Sequence, residues 1–142
     1  MNSAFVGDAS VAVSWTVDLP YSPRAKQLLN RSGSLIAPDF IIAEVTNAFH
    51  VLGKSGAANR ERLKDGLDLL PRWFAELCPA AVLRNRAFEL ASELNHPAHD
   101  CFYLALALLR EAKLVTTDAH FLRKIEKTAH AGRAVLLDDW AA

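Results

Sequence analysis

Ala4-Phe5-Val6-Gly7-Asp8-Ala9-Ser10-Val11-Ala12-Val13 sets the reading of the whole chain: three apolar residues of strand length, then a glycine, then an acid, then a helical segment. The same order returns late in the sequence, where Leu114-Val115-Thr116 is followed after one more threonine by Asp118 and a helical run from Ala119 to Lys127. Further runs of strand length are Ser34-Leu35-Ile36-Ala37, a weaker one at Leu77-Cys78-Pro79, and Ala134-Val135-Leu136-Leu137. Strands in a parallel sheet are buried on both faces, so they read as continuously apolar instead of alternating, and most of these do. Between them the apolar residues recur at helical period over Ser10 to Val17, Pro23 to Arg31, Phe40 to Leu52, Arg60 to Phe74 with a break at Pro71, Leu83 to Leu94, and Pro97 to Ala112. Strands alternating with helices predict an α/β fold, a parallel central sheet covered by helices in three layers.

Two helical segments carry more information than their length. Ile41, Val45, Ala48 and Leu52 fall on one stripe of the third, which is its core face, and Asp39 stands where its N-cap is expected. Cys101 to Leu109 is apolar all round, so that helix should pack between the sheet and another helix. Gly53-Lys54-Ser55-Gly56 reads as a turn. There is no internal repeat, low-complexity tract or linker, and 142 residues with 51% hydrophobic content suit one compact domain over 1–142.

Composition narrows the function. The formal net charge is zero, unlike a simple basic nucleic-acid binder. If four of the 16 acids serve a cation, however, 16 basic side chains face only 12 free acids and the surface is mildly basic. Cys78 and Cys101 form no CxxC pair and read as reduced core residues. The N-terminus has no basic region before an apolar run, so no signal peptide is expected, and the longest apolar run is too short to span a bilayer. A cytoplasmic protein without membrane contact is the expectation. No GxGxxG, GxxxxGK[ST], GxSxG or HExxH pattern occurs.

The acids remain. Asp8 and Asp118 follow strands at the carboxyl edge, where open parallel sheets bind ligands. Asp100 lies in the first turn of the helix after Pro97, and Glu44 lies one turn into the helix after the second strand. Taken singly, Asp8 and Asp118 are better explained as N-caps and Asp100 as a favourable charge at a helix start. As a set of four on one edge they would repel one another unless a cation neutralised them. Oxygen-only ligands favour a hard ion, Mg²⁺ or Mn²⁺, which can lower the pKa of a bound water and stabilise charge on a transferring phosphoryl group. Ser10, Asn47 and Thr116 sit in register with Asp8, Glu44 and Asp118 as supporting polar residues, with local capping or plain exposure as the equally good alternative. His96, His99, His120 and His130 read as loop and surface residues, with His99 the one placed to line the cleft. Lys54, Arg60, Arg62, Lys64, Arg72, Arg123, Lys124 and Lys127 could follow a phosphate backbone, although such helix faces are usually only solvated.

At these residues the sequence resembles the PIN-domain family, and more narrowly its VapC toxins. Val6-Gly7-Asp8-Ala9-Ser10 is similar to the opening strand and DAS motif, and Ala43-Glu44-Val45-Thr46-Asn47-Ala48 to the EVxNA helix. His99-Asp100-Cys101-Phe102-Tyr103-Leu104-Ala105-Leu106-Ala107 is similar to YDAxYLALA, with His99 and Cys101 as departures, and Leu114-Val115-Thr116-Thr117-Asp118 to LVTAD. The resemblance implies a metal-dependent endoribonuclease with Asp8 and Asp100 as direct metal ligands, Glu44 and Asp118 completing the catalytic acids, and a Mg²⁺ or Mn²⁺ cofactor. It further implies a toxin-antitoxin pair, with RNA as substrate, a cognate antitoxin as partner, and a homodimer. Two narrower alternatives are an RNA-processing nuclease of the same kind without a toxin role, and a non-catalytic RNA- or protein-binding module. A phosphoacceptor receiver domain fits less well, because Gly7-Asp8 offers one acid where two are usual and Asp138-Asp139 follow the last strand where a lysine is needed.

Overall fold

In a computed structural model, which describes residues 4–30 and 34–140, five short strands form one parallel sheet: β1 (Phe5–Gly7), β2 (Leu35–Pro38), β3 (Glu76–Cys78), β4 (Lys113–Thr116) and β5 (Ala134–Leu136). Their order is β3-β2-β1-β4-β5, with Val6 opposite both Ile36 and Leu114, Pro38 opposite Cys78, and Val115 opposite Val135. Flanking the sheet are α1 (Ala9–Val13), α2 (Ser22–Asn30), α3 (Ile41–Lys54), α4 (Arg60–Leu69), α5 (Ala80–Leu94), α6 (Ala98–Leu109) and α7 (Ala119–Glu126). The α/β fold with an all-parallel sheet is therefore as the sequence predicts. None of the described helices is long and apolar enough to cross a membrane.

The core explains why these segments hold their places. Val6, Ala37, Leu114 and Val115 from the three central strands are fully or almost fully buried, as strands covered on both faces must be. α6 packs on β1, β2 and β4 and is covered in turn by α5. Cys101, Tyr103, Leu104, Ala105, Leu106 and Ala107 are each at most 2% exposed, so the all-round apolar character of this helix is satisfied on every side. Both cysteines are buried and free, and burial together with the charge of Asp100 pushes the Cys101 thiol up to about 11.

Several boundaries differ from the sequence expectation, each for a local reason. α1 stops at Val13 and not Val17, because the Ser14 hydroxyl donates to the Val11 carbonyl at 2.6 Å and Ser22 Oγ donates to the Ser14 carbonyl at 2.9 Å. The expected end of the next helix at Arg31 lies outside the described residues. Pro71 ends α4 as foreseen, and Leu70–Trp73 tightens into a 3-10 turn. The turn expected from Gly53 begins two residues later, with Gly56 at φ +78°.

Asp39 does not cap α3, whose N-cap position is taken by Phe40 without a side-chain hydrogen bond. Pairing of β2 with β3 brings Asp39 instead to the start of α5, where it accepts from the Ala80 N–H at 3.1 Å, and α5 begins there, ahead of the expected Leu83. α5 ends at Asn95 in the left-handed region (φ 50°), which turns the chain back toward α6.

Candidate metal centre

The strand order reverses beside β1, since the chain runs outward through β2 and β3 and then returns to place β4 on the other side. That arrangement opens a crevice at the carboxyl ends of β1 and β4. Asp8 follows β1 and Asp118 follows β4 there, joined by a backbone hydrogen bond from the Asp8 N–H to the Val115 carbonyl at 3.4 Å. Glu44 enters from the first turn of α3 and Asp100 from the first turn of α6. All four expected acids line one pocket of ≈280 Å³ together with Ser10, Thr117 and Tyr103, and no lysine or arginine is among its lining residues.

The alternative explanation of Asp8 and Asp118 as helix caps also holds, without competing for the whole carboxylate. Asp8 Oδ1 accepts from the Val11 N–H at 3.1 Å and Asp118 Oδ1 from the Phe121 N–H at 3.0 Å, which leaves lone pairs on each group for a second task. Asp8 is further held by the Ser10 hydroxyl, which donates to Oδ1 at 2.6 Å, and by the Thr116 hydroxyl, which donates to Oδ2. Thr116 is fully buried, and its hydroxyl also accepts from the Asp118 N–H at 3.1 Å, so one side chain sets the spacing of the two strand-end acids. Thr117 extends the network by donating to Ser10 Oγ at 2.8 Å. Asn47, the third supporting residue expected, is exposed and lines no part of the pocket.

Two side chains not singled out as site residues in the sequence join the acids. The hydroxyl of Tyr103, one turn after Asp100 on α6, donates to Glu44 Oε1. Burial and the Glu44 carboxylate push that phenol far above its ordinary range, so Tyr103 stays a donor at any working pH. His96 is no surface loop residue: its side chain is 5% exposed, its ring stacks on Phe121 at 4.3 Å, and its Nε2 lies 2.8 Å from Asp100 Oδ2. His99, the histidine expected at the cleft, is 62% exposed with Nε2 3.4 Å from Asp100 Oδ1. Among the described residues, one atom each from His96, Asp100 and Asp118 lie within 4.8 Å of one another, a spacing that could hold a metal ion.

Electrostatics favour a cation here. Burial raises the Asp8 pKa above its ordinary value, the hydrogen bonds from Ser10, Thr116 and the Val11 N–H lower it, and the charge of Asp100 raises it again. Oxygen donors dominate the pocket and no lysine or arginine lines it, so the donor set fits a hard divalent ion.

The family profile described as "PIN domain" matches residues 5–127. No curated protein matches the sequence. Among solved structures, the crystal structure of PAE2754 from Pyrobaculum aerophilum is similar in fold, with a TM-score of 0.72 at 19% identity over 96% of this chain and 85% of that one.

Proposed function

This chain belongs to the PIN-domain family, whose members are generally metal-dependent nucleases, and on that premise we propose that it is an Mg²⁺- or Mn²⁺-dependent endoribonuclease acting as the toxin of a toxin-antitoxin pair. The observation that carries the catalytic part is the pocket in which Asp8, Glu44, Asp100 and Asp118 meet with no lysine or arginine among its lining residues. A phosphodiester is repelled by four carboxylates with no lysine or arginine among them, so the same arrangement that invites a cation makes the reaction depend on one.

Asp8 and Asp100 are the direct ligands in this reading, and Glu44 and Asp118 complete the acidic set. A bound divalent cation supplies Lewis acidity toward the phosphoryl oxygens and toward the attacking water. The protein's own part is to hold the oxygens in place: Ser10 and Thr116 fix both oxygens of Asp8, and Tyr103 fixes Glu44. Fixed donors and acceptors need no reorganisation when charge develops, which is where such sites gain most of their rate.

The toxin assignment rests on the four motifs around these acids and on a groove that suits a partner helix. Phe49, Leu63 and Leu67 line a ≈210 Å³ depression between α3 and α4, bordered by Arg60 and Lys64, which would take the apolar face and acidic flank of an antitoxin helix. Leu70 and Phe74, further along the chain, line no part of this depression. Exposed Val82 and Phe88 on α5 and Leu109 at the end of α6 give a second copy of the chain an apolar surface to cover. The reading places one domain over 1–142 in the cytoplasm, where its RNA is.

Purified protein is expected to cut RNA only with added Mg²⁺ or Mn²⁺ and to stop in excess EDTA; undiminished cutting in EDTA would rule out the metal mechanism. End-mapping of cellular RNA after brief expression identifies the target. Expression of the chain alone is expected to arrest growth, and co-expression of the small open reading frame directly upstream to restore it and to co-purify. A harmless chain with no neighbouring product bound to it would remove the toxin role and leave the nuclease.

A further inference from the structure

Lys124 on α7 approaches His96 from the side away from Asp100: its Nζ lies 3.2 Å from His96 Nδ1 and 2.7 Å from the Asn95 carbonyl oxygen. An ammonium group has three donors and no acceptor, so the ring nitrogen facing it must be the acceptor. The proton of the imidazole then sits on Nε2, which points at Asp100 Oδ2 at 2.8 Å. We propose that Lys124 fixes the tautomer of His96 so that His96 donates to Asp100 and positions its carboxylate, making His96 a positioning residue of the centre and not one of its ligands.

By distance alone His96 could equally be a third ligand beside Asp100 and Asp118. Lys124 decides between the two, because a nitrogen that carries a proton has no lone pair to give a cation. Turning the ring over would put carbons where both contacting nitrogens stand, so the two hydrogen bonds hold it in this orientation. It is stacked on Phe121 with an interplanar angle of 14°, its side chain is 5% exposed, and the left-handed turn at Asn95 fixes its backbone. The other groups around it are the ring of His120, centred 6.2 Å away, and the Asp118 carboxylate. With His96 acting as a donor to Asp100, the residues that line the pocket offer a cation oxygen atoms, which favours Mg²⁺ or Mn²⁺ over the Zn²⁺ that a free imidazole would favour.

This inference rests on the metal centre proposed above, and its test separates the two. Long-range ¹H–¹⁵N NMR on the metal-free protein reads the His96 tautomer directly. The Nε2–H form is expected in the wild type, with a shift toward a mixture in Lys124→Met; the Nδ1–H form in the wild type would overturn the proposal. Calorimetric titration with Mn²⁺ is the second readout. Partners that orient a metal-binding group are typically worth 10–100-fold in affinity. His96→Phe, which keeps the ring on Phe121 but loses the donor, is expected to bind Mn²⁺ about 10–100-fold more weakly than wild type, and His96→Gln, which keeps a donor, to stay within a few-fold. Equal binding by His96→Phe and wild type would overturn the positioning role. Should His96→Phe fail to fold, Lys124→Met takes its place in the titration, with weakened Mn²⁺ binding expected and wild-type binding counting against the relay. If the wild type binds no divalent cation, the centre itself fails, while the tautomer still decides the Lys124–His96–Asp100 arrangement.

Discussion

Asp8→Asn is expected to abolish RNA cleavage, by at least about 100-fold, while raising the melting temperature of the metal-free protein. The loss follows from removing a charged ligand at the point where developing charge must be stabilised. The gain follows from the environment of the carboxylate. Its pKa is raised in the folded protein by burial and by Asp100, so the folded state holds the proton more tightly than the unfolded chain does. Stability is therefore full below the unfolded value near 3.8, falls as pH rises through the raised folded value, and stays lowered at neutral pH. Asparagine carries no charge and escapes that loss. It also keeps an oxygen for the Val11 N–H and the Ser10 hydroxyl, and its amide can donate to Thr116 Oγ1, which has one lone pair beyond that taken by the Asp118 N–H. The difference in melting temperature should thus be largest near pH 7, shrink toward pH 4, and shrink again when Mg²⁺ is added, since only the wild type gains from binding it. Melts over a pH series, with a cleavage assay on the same preparations, decide the matter. A variant that cuts at the wild-type rate, or melts far below wild type, would remove Asp8 from the centre.

Leu104→Ala is expected to cost about 3 kcal/mol, within the 2–5 kcal/mol usual for emptying a packed leucine site. Leu104 is fully buried on α6, the helix that lies between the sheet and α5, so no solvent or mobile chain can collapse into the space. In a chain of this size the loss corresponds to about 10 °C in melting temperature. Leu104 directly follows Tyr103 and lies one turn beyond Asp100, yet it touches the chemistry only through packing. Cleavage per folded molecule at 25 °C should therefore stay within a few-fold of wild type. A shift of only a degree or two would mean that α6 is less tightly enclosed than described.

How far the sequence could be read depended on whether a residue acts within its own segment. The strands around Val6, Ile36 and Leu114 were legible because burial on both faces leaves an unbroken apolar signature, and α6 was legible for the same reason. The acids were legible from position, since each stands at a strand end or in the first turn of a helix. Contacts made by strand pairing were not: Asp39 reads as a cap for the helix it precedes, and only the β2–β3 pairing shows that it serves Ala80. His96 was hidden because it stands four positions before Asp100, outside α6 and on the far side of Pro97, where helical spacing does not apply. Tyr103 reads as part of an apolar run, and nothing local marks a hydroxyl that reaches Glu44 on another helix. For Asn47, one turn from Glu44 proved too little to bring an exposed side chain into the pocket.

The placement of β4 between β1 and β5 also governs when the protein can first act. The chain is made from its N-terminus, so β1, β2 and α3 leave the ribosome with Asp8 and Glu44 long before Asp100, β4 and Asp118 exist. Until β4 arrives, the edge of β1 that it will occupy stays open, Thr116 is not there to fix Asp8, and Asp118 is missing. On the reading proposed above, the centre stays inert until β4 and Asp118 have been made. Activity then arrives all together, and any product broken off before position 113 carries the first acids without the means to use them.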